Sequence, residues 1–292
     1  MNKLVVGIGE ILWDILPGKK QPGGAPANFA YHASQLGADG RIVSAIGNDD
    51  LGDELVQALD ERNQGYALER VPYATGCATV NPDTENDNRY SFTPDCAWDH
   101  LPFTSSLVEL AQRTSACCFG SLAQRCPITR HAIARYIDAM PDESLKIFDI
   151  NLRPPFIEPE VIRHSLNLCN VLKLNTDELD TLVPLIGLPD GSDEEQCRRL
   201  MQRFGISYVV LTQGEEGSSI FAPDESSTLP ASPVDVVDTV GAGDAFTATF
   251  VVGLLSGLPL TDAHLRASDI SAYVCTQHGA TPPHPRKFSF EE

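Results

Sequence analysis

The sequence predicts an α/β protein: a mostly parallel sheet covered by helices on both faces, with a small second sheet appended. Three observations carry this. Short apolar runs rich in Val, Ile and Leu alternate with amphipathic stretches along most of the chain, the pattern of strand–helix repeats. Several of those runs are apolar throughout, as strands buried on both faces are. The segment 65–98 breaks the alternation with two strand-like runs, CATVNP and NRYSFT, around the polar loop DTENDN, which is hairpin character. No internal repeat or long linker divides the 292 residues, so a single domain over 1–292 is expected, with lid segments near 10–22 and 65–98.

Each element has its own signal. Residues 3–9 form an apolar run ending in glycines, a buried first strand. Residues 25–36 place Phe29, Ala33 and Leu36 on one helical side, and Gly37 sits where a helix would stop. A strand at 41–46 precedes an amphipathic helix at 49–62, with Leu51, Leu55, Ala58 and Leu59 on its apolar face. After the hairpin, helices are predicted at 107–112, 128–140, 160–168, 176–186 and 193–204, and strands at 116–120, 146–150, 171–174 and 208–211. Residues 218–221 read as a hairpin-like follower of the last strand, and two apolar helices at 242–256 and 261–276 close the pattern.

Composition narrows the partners. Forty acidic against 21 basic residues give a formal charge of −19, which argues against nucleic acid and anionic membranes as main partners. No run of eighteen apolar residues occurs, and the first residues read as a strand rather than a signal peptide. The eight cysteines show no Cys-x-x-Cys pair and no zinc spacing, so free thiols in a reducing cytoplasm are expected.

The most informative segment is DTVGAGDAF, 238–246, running into the apolar stretch TATFVVGLL. Glycines around an alanine let backbone N–H groups converge, and a helix starting there adds its own free N–H groups and positive dipole end. That is an anion site suited to phosphate. Asp244, a carboxylate in an anion site, makes sense as the base that takes a proton from an attacking hydroxyl, while the amides of Gly241, Ala242 and Gly243 stabilise a transferring phosphoryl group. Taken alone, the segment also reads as a glycine turn with a capping aspartate. Other nucleotide motifs are missing: Gly18-Lys19-Lys20 lacks the first glycine and the hydroxyl of a P-loop. Gly7-Ile8-Gly9 opens no dinucleotide fold, because Leu12 replaces the third glycine and prolines follow. With six lysines and no P-loop lysine, metal charge is expected to matter more than protein charge at the phosphates.

These residues resemble a known family. DTVGAGDAF is similar to the C-terminal signature of the ribokinase-like sugar kinases, and GGAPANFA, 23–30, to their N-terminal signature in the form seen in fructokinases. GEILWD, the hairpin segment, FDINLR, LKLNTDEL, VVLTQGEEGS and HGATPPHP resemble intermediate family segments in order, covering essentially the whole chain. The resemblance implies a three-layer α/β/α sandwich with a mostly parallel central sheet and a small β-sheet lid. It implies an ATP-dependent kinase with Mg²⁺, and pairing of two copies through the lid. Sugar contacts would come from Asp14, Gly23, Gly24 and Asn28, whose amide can both donate and accept. Arg89 and Arg153 would contact the sugar or balance phosphate charge, though each also reads as a surface salt-bridge residue. Asn175 and Glu178, three apart, would organise Mg²⁺ largely through water, which that ion retains readily. Asn175, Thr212, Gly214, Gly241 and Gly243 would bind ATP. Asp238 with the carbonyls of Val240, Val274, Gln277 and Gly279 would hold a monovalent cation, K⁺.

The fold does not choose the sugar. The resemblance of GGAPAN, GEILWD and FDINLR favours D-fructose, phosphorylated on its 6-hydroxyl. A 2-keto-3-deoxygluconate kinase or a ribokinase is the alternative within the family, and a non-catalytic sugar sensor the alternative outside it. Trp13, Tyr90, Phe92 and Trp98 either shape the pocket or form lid core, and His32 reads as a packed or surface histidine.

Overall fold

The computed structural model describes residues 3–16, 18–80 and 90–290. The chain opens with strand β1 (Leu4–Ile8), then the hairpin β2 (Leu12–Leu16) and β3 (Lys19–Gly23), helix α1 (Ala25–Gln35), β4 (Asp39–Gly47), α2 (Asp50–Glu61) and β5 (Gly65–Val71). A second hairpin follows, β6 (Cys77–Val80) and β7 (Tyr90–Phe92). Strand–helix alternation then resumes with α3 (Ser105–Ala111), β8 (Ala116–Phe119), α4 (Pro127–Ala139), β9 (Leu145–Asp149), α5 (Pro159–Leu168) and β10 (Val171–Asn175). Helices α6 (Thr176–Ile186) and α7 (Asp193–Phe204) lead to β11 (Tyr208–Thr212), β12 (Ser218–Phe221) and β13 (Ser226–Leu229), and α8 (Ala242–Leu255) and α9 (Leu260–Cys275) come last.

Nine strands form one sheet in the order β13-β12-β11-β10-β9-β8-β1-β4-β5, parallel except for the antiparallel β11-β12-β13 edge. The second sheet, β3-β2-β6-β7, has four. Strand residues alternate between two cores, as a pleat requires. Val6, Cys117, Phe148 and Leu172 face the layer of α3 to α7. Val5, Cys118, Ile147 and Val171 face α1, α8 and α9. Helix α8 is apolar nearly all round because it lies in the middle of its layer, packed on both α1 and α9. All eight cysteines are free thiols, five of them buried. Among the described residues no helix is long and apolar enough to cross a membrane.

Two elements depart from the sequence expectation. The stretch 65–98 does not go to the small sheet as a unit. Gly65–Val71 pairs in parallel with β4 as the edge strand of the large sheet, and only β6 and β7 join the small one. Its alternating pattern suits either sheet, and only the pairing partner decides. Strand β13 escapes the sequence because SSTL is polar; as an antiparallel edge it needs ladder hydrogen bonds rather than apolar faces.

The aromatic candidates divide as well. Trp98, in the 3₁₀ turn Ala97–His100, is buried in the large core with the Arg125 guanidinium 3.9 Å over its ring. Trp13 packs with Ala27, Ala30 and Leu55, its indole N–H donating to Leu51 O at 2.9 Å. Phe92 alone of the four is placed on the cleft wall; the side chain of Tyr90 lies outside the described residues. His32 is fully buried on α1, where its ring nitrogens meet His284 Nε2 at 2.8 Å and the Ala280 carbonyl at 3.0 Å. Burial pushes its pKa down to about 3, so it packs as a neutral ring.

Candidate active site

A cleft of about 620 Å³ opens at the carboxyl ends of the parallel strands. It includes Glu10, just past β1, and Gly120 to Leu122, just past β8. Here the strand order turns from one direction to the other, and the chains leaving β1 and β8 diverge, which opens a crevice in sheets of this kind. Leu12, Asp14 and Phe92 reach it from the small sheet.

One end of the cleft is lined with groups suited to hydroxyls. Asp14 projects from β2, opposite Gln21 of β3. Gly23 lies close behind it: an added Cβ would overlap Asp14 Oδ2, so the glycine makes room for the carboxylate rather than facing the cleft itself. Gly24 does line the cleft, at φ +108, a conformation that favours glycine, and a Cβ there would run into the Glu10 carbonyl. Asn28, in the first turn of α1, donates from Nδ2 to Asp244 Oδ2 at 2.9 Å, joining residues 216 apart. Both N-terminal and C-terminal signatures therefore meet at one hydrogen bond.

Helix α8 begins beside it. Gly241 caps the helix at φ +80, packed so closely on Ala280 that a Cβ would strike its carbonyl. Of the three amides expected to line the anion site, that of Ala242 is already used: its N–H donates to Thr239 O at 3.3 Å and its methyl packs in the core. The N–H groups of Gly243 and Asp244 find no acceptor among the described residues, as first-turn donors do, and both residues line the cleft. Burial raises the pKa of Asp244, while the hydrogen bond from Asn28 and the positive charges of Lys173 and Arg153 pull it back.

The phosphate side holds a residue the sequence reading passed over. Lys173 of β10 is the register partner of Asp149 on β9, and its Nζ lies 3.3 Å from Asp149 Oδ1. Both are buried and both point to the face covered by α8; a Cβ on Gly243 would sit 3.2 Å from Nζ. Burial opposes the lysine's charge, but Asp149, Glu178 and Asp244 hold its pKa above the ordinary value. The sequence reading, which expects metal charge to matter more than protein charge, gives this lysine no part. A signal existed: Lys173 and Asp149 interrupt the otherwise apolar runs VLKLN and KIFDI, and a charge in a buried strand implies a partner.

Asn175 ends β10 and caps α6, in register with Thr212 at the end of β11; both line the cleft. Asn175 Oδ1 accepts from Glu178 N–H at 2.8 Å, and Glu178 Oε2 accepts from Asn175 N–H at 2.8 Å, a reciprocal cap. Glu178 Oε1 accepts from Leu152 N–H at 3.0 Å. Burial raises the Glu178 pKa against the pull of Lys173. Each oxygen keeps lone pairs for water, which fits Mg²⁺ held through its hydration shell; among the described residues no cluster of three His, Cys, Asp or Glu side chains could hold a metal unaided.

The remaining candidates fall as follows. Arg153 lines the cleft, its Nη1 donating to Leu152 O at 3.0 Å, whereas Arg89 lies outside the described residues. Gly214, at φ +56 in a 3₁₀ turn, is not on the cleft wall. Asp238 accepts from Val240 N–H and Gly279 N–H, both at 3.0 Å, tying the loop before α8 to the segment after α9. The Val274 carbonyl accepts from Gln277 N–H at 2.9 Å, a helix-end bond.

Burial pushes the Asp14 pKa from 3.8 up to about 6. A carboxyl that is harder to ionise in the folded state stabilises the fold at low pH, and that stability is lost as pH rises through about 6. Asp14→Asn is therefore expected to raise the melting temperature at pH 8, by on the order of 1–3 kcal/mol of stability, with the difference vanishing below about pH 4. Thermal melts across pH check this.

A mostly parallel α/β/α sandwich, a small sheet at the mouth of the cleft and a carboxylate in the first turn of a helix whose free N–H groups border the cleft are the features of a ribokinase-like sugar kinase. Comparison with known proteins agrees. The family model described as pfkB family carbohydrate kinase matches residues 17–287, and the chain belongs to that family. It is 27% identical to an ATP-dependent 6-phosphofructokinase of Thermoanaerobacterium thermosaccharolyticum, covering 94% of this chain and 89% of that one. It is 28% identical to a probable fructokinase-7 of Arabidopsis thaliana, covering 97% and 90%. The fold matches that of a Xylella fastidiosa fructokinase solved with bound ATP, at a TM-score of 0.84 and 21% identity, over 98% of this chain and 96% of that one.

Proposed function

We propose that this carbohydrate kinase transfers the γ-phosphoryl group of ATP to the 6-hydroxyl of D-fructose. The observation that carries the chemistry is the Asn28–Asp244 hydrogen bond at the start of α8. It fixes one carboxylate oxygen and leaves the other for the attacking hydroxyl. Asp14 and Asn28 hold the sugar, with the Gly24 backbone at close approach. Asp244 takes the proton as the hydroxyl attacks. The N–H groups of Gly243 and Asp244, the positive end of α8 and the Lys173 ammonium face the charge on the transferring group.

Asn175 and Glu178 would hold Mg²⁺ through water, and the ion would neutralise charge on the ATP phosphates. Asp238 and the neighbouring carbonyls would hold a monovalent cation beside the α8 loop. The small sheet would act as a lid, carrying Asp14 and Phe92 over the sugar and excluding water.

Fructose is favoured by the fructokinases among the relatives and by the GGAPAN form of the first signature. An ADP-release assay across fructose, ribose, 2-keto-3-deoxygluconate, fructose 6-phosphate and nucleosides tests it, ranked by kcat/KM. Fructose should rank first. Another sugar ranked well above it would overturn the substrate, and no ADP release on any sugar would overturn the catalytic reading in favour of a sensor.

A further inference from the structure

The mechanism above leaves one buried acid of the cleft without a task. Glu10 follows β1 at the strand-order reversal, borders the cleft, and is 4% exposed. The carboxyl feels the backbone N–H groups of Glu10 and Ala25, but its Oε2 is buried and has no hydrogen-bond partner among the described residues. The other buried acids in or behind the cleft are engaged: Glu178 by two backbone N–H groups, Asp244 by Asn28 and, behind Lys173, Asp149 by that lysine. A buried oxygen acceptor without a donor is unfavourable, so native structures retain one where something else supplies the hydrogen bond.

We propose that Glu10 is a specificity-determining residue whose carboxyl takes a hydroxyl of the acceptor sugar, completing a polar set with Asp14 and Asn28. This rests on the sugar-kinase reading. Three features of the cleft support it. Glu10 stands at the beginning of α1, where Gly24 has no side chain to separate it from the sugar end; a Cβ on Gly24 would lie 3.4 Å from Glu10 Cγ. The carboxyl is also within the electrostatic reach of Asp244, the proposed base, and of Arg153. Burial pushes its pKa up to about 7, against the pull of its own N–H, Arg153 and the Ala25 N–H, with Asp244 adding to the rise. Protonated or charged, a carboxyl keeps acceptor capacity, so it can receive a hydroxyl in either state. A sequence signal existed too: Glu10 is an acid set between the apolar runs LVVGIG and ILW.

A site built to hydrogen-bond a hydroxyl discriminates steeply against a substrate lacking it, because its own polar group is then left unpaired. The test uses Glu10→Met, similar in length but without an acceptor oxygen, with Glu10→Gln as the conservative rescue. The whole protein is assayed by ADP release on its best sugar and on that sugar's monodeoxy analogues. The methionine variant should raise the sugar KM by about 10–100-fold with the ATP KM unchanged, and Glu10→Gln should recover most of the loss. One monodeoxy analogue should be poor for the wild type yet no worse than the parent sugar for Glu10→Met. A sugar KM within twofold of wild type overturns the proposal. So does a deoxy profile that keeps its wild-type shape in the variant, which marks a purely structural role. If Glu10→Met does not fold, the deoxy comparison is made on Glu10→Ala, which also lacks an acceptor oxygen, and an unaltered profile there overturns it equally. Wild-type protein inactive on every sugar defeats the kinase reading instead, so the two failures are separable.

Discussion

Asp244→Asn is expected to lower kcat by roughly 10²–10⁴-fold while leaving the KM for ATP and for sugar within about threefold. The substitution keeps shape and keeps an oxygen to accept the 2.9 Å hydrogen bond from Asn28, so the start of α8 should stay in place. What it removes is the basic oxygen. Burial has already raised the Asp244 pKa, which makes the carboxylate a better proton acceptor, while the hydrogen bond from Asn28 and the charges of Lys173 and Arg153 oppose the rise. Activity of the wild type should accordingly fall on the acid side as this group takes up a proton, and the variant's residual rate should lose that limb. Steady-state kinetics against pH check both points; near-normal turnover in the variant would remove Asp244 from the role of base.

Lys173→Met should both destabilise the fold and abolish phosphoryl transfer, and the two effects can be separated. Removing the ammonium leaves Asp149 buried without its partner at 3.3 Å, and breaking a buried pair from one side costs about 3–5 kcal/mol. Replacing both members is milder, since no unpaired charge is left buried. The double variant Lys173→Met, Asp149→Asn should therefore regain most of the melting temperature. It should not regain activity, because the charge that faces the anion site beside Gly243 is still gone. Calorimetry with ADP-release kinetics on the single and double variants decides this. A double variant with wild-type turnover would make the lysine purely structural.

Lys173 also bears on how a chain of net charge −19 could hold a polyanion such as ATP. Net charge acts over the whole surface and is screened within about 8–10 Å at ordinary ionic strength. The cleft instead sets its own field, from one buried lysine, the Arg153 guanidinium and first-turn N–H groups. Buried charge is screened less than surface charge, so at short range the cleft's own groups, Lys173 and Arg153 beside Asp14, Glu178 and Asp244, count for more than the exposed carboxylates.

Local pattern made much of this protein readable in advance. The alternation of buried strands and amphipathic helices, the three-residue spacing of Asn175 and Glu178, and the glycine-flanked start of α8 are all written in neighbouring residues, because they depend on near-neighbour sterics and hydrogen bonds. The signatures around Asn28 and Asp244 were visible for the same reason: each needs its glycines within a few positions. Four things waited for the tertiary structure. Gly65–Val71 could pair with either sheet, and its strand partner chose the large one. The Ala242 amide turned inward to Thr239, which no spacing reveals. Gly23 proved to make room for Asp14 across a hairpin, a contact fixed by register. Lys173 and Glu10 were plain as charges in apolar runs, but their roles depend on what lies across the sheet or across the cleft. Sequence determined the elements and the reactive segments, since those are local. Which groups meet, and therefore which carry charge and which stay unpartnered, was decided only by packing, because those energies arise between residues far apart in the chain.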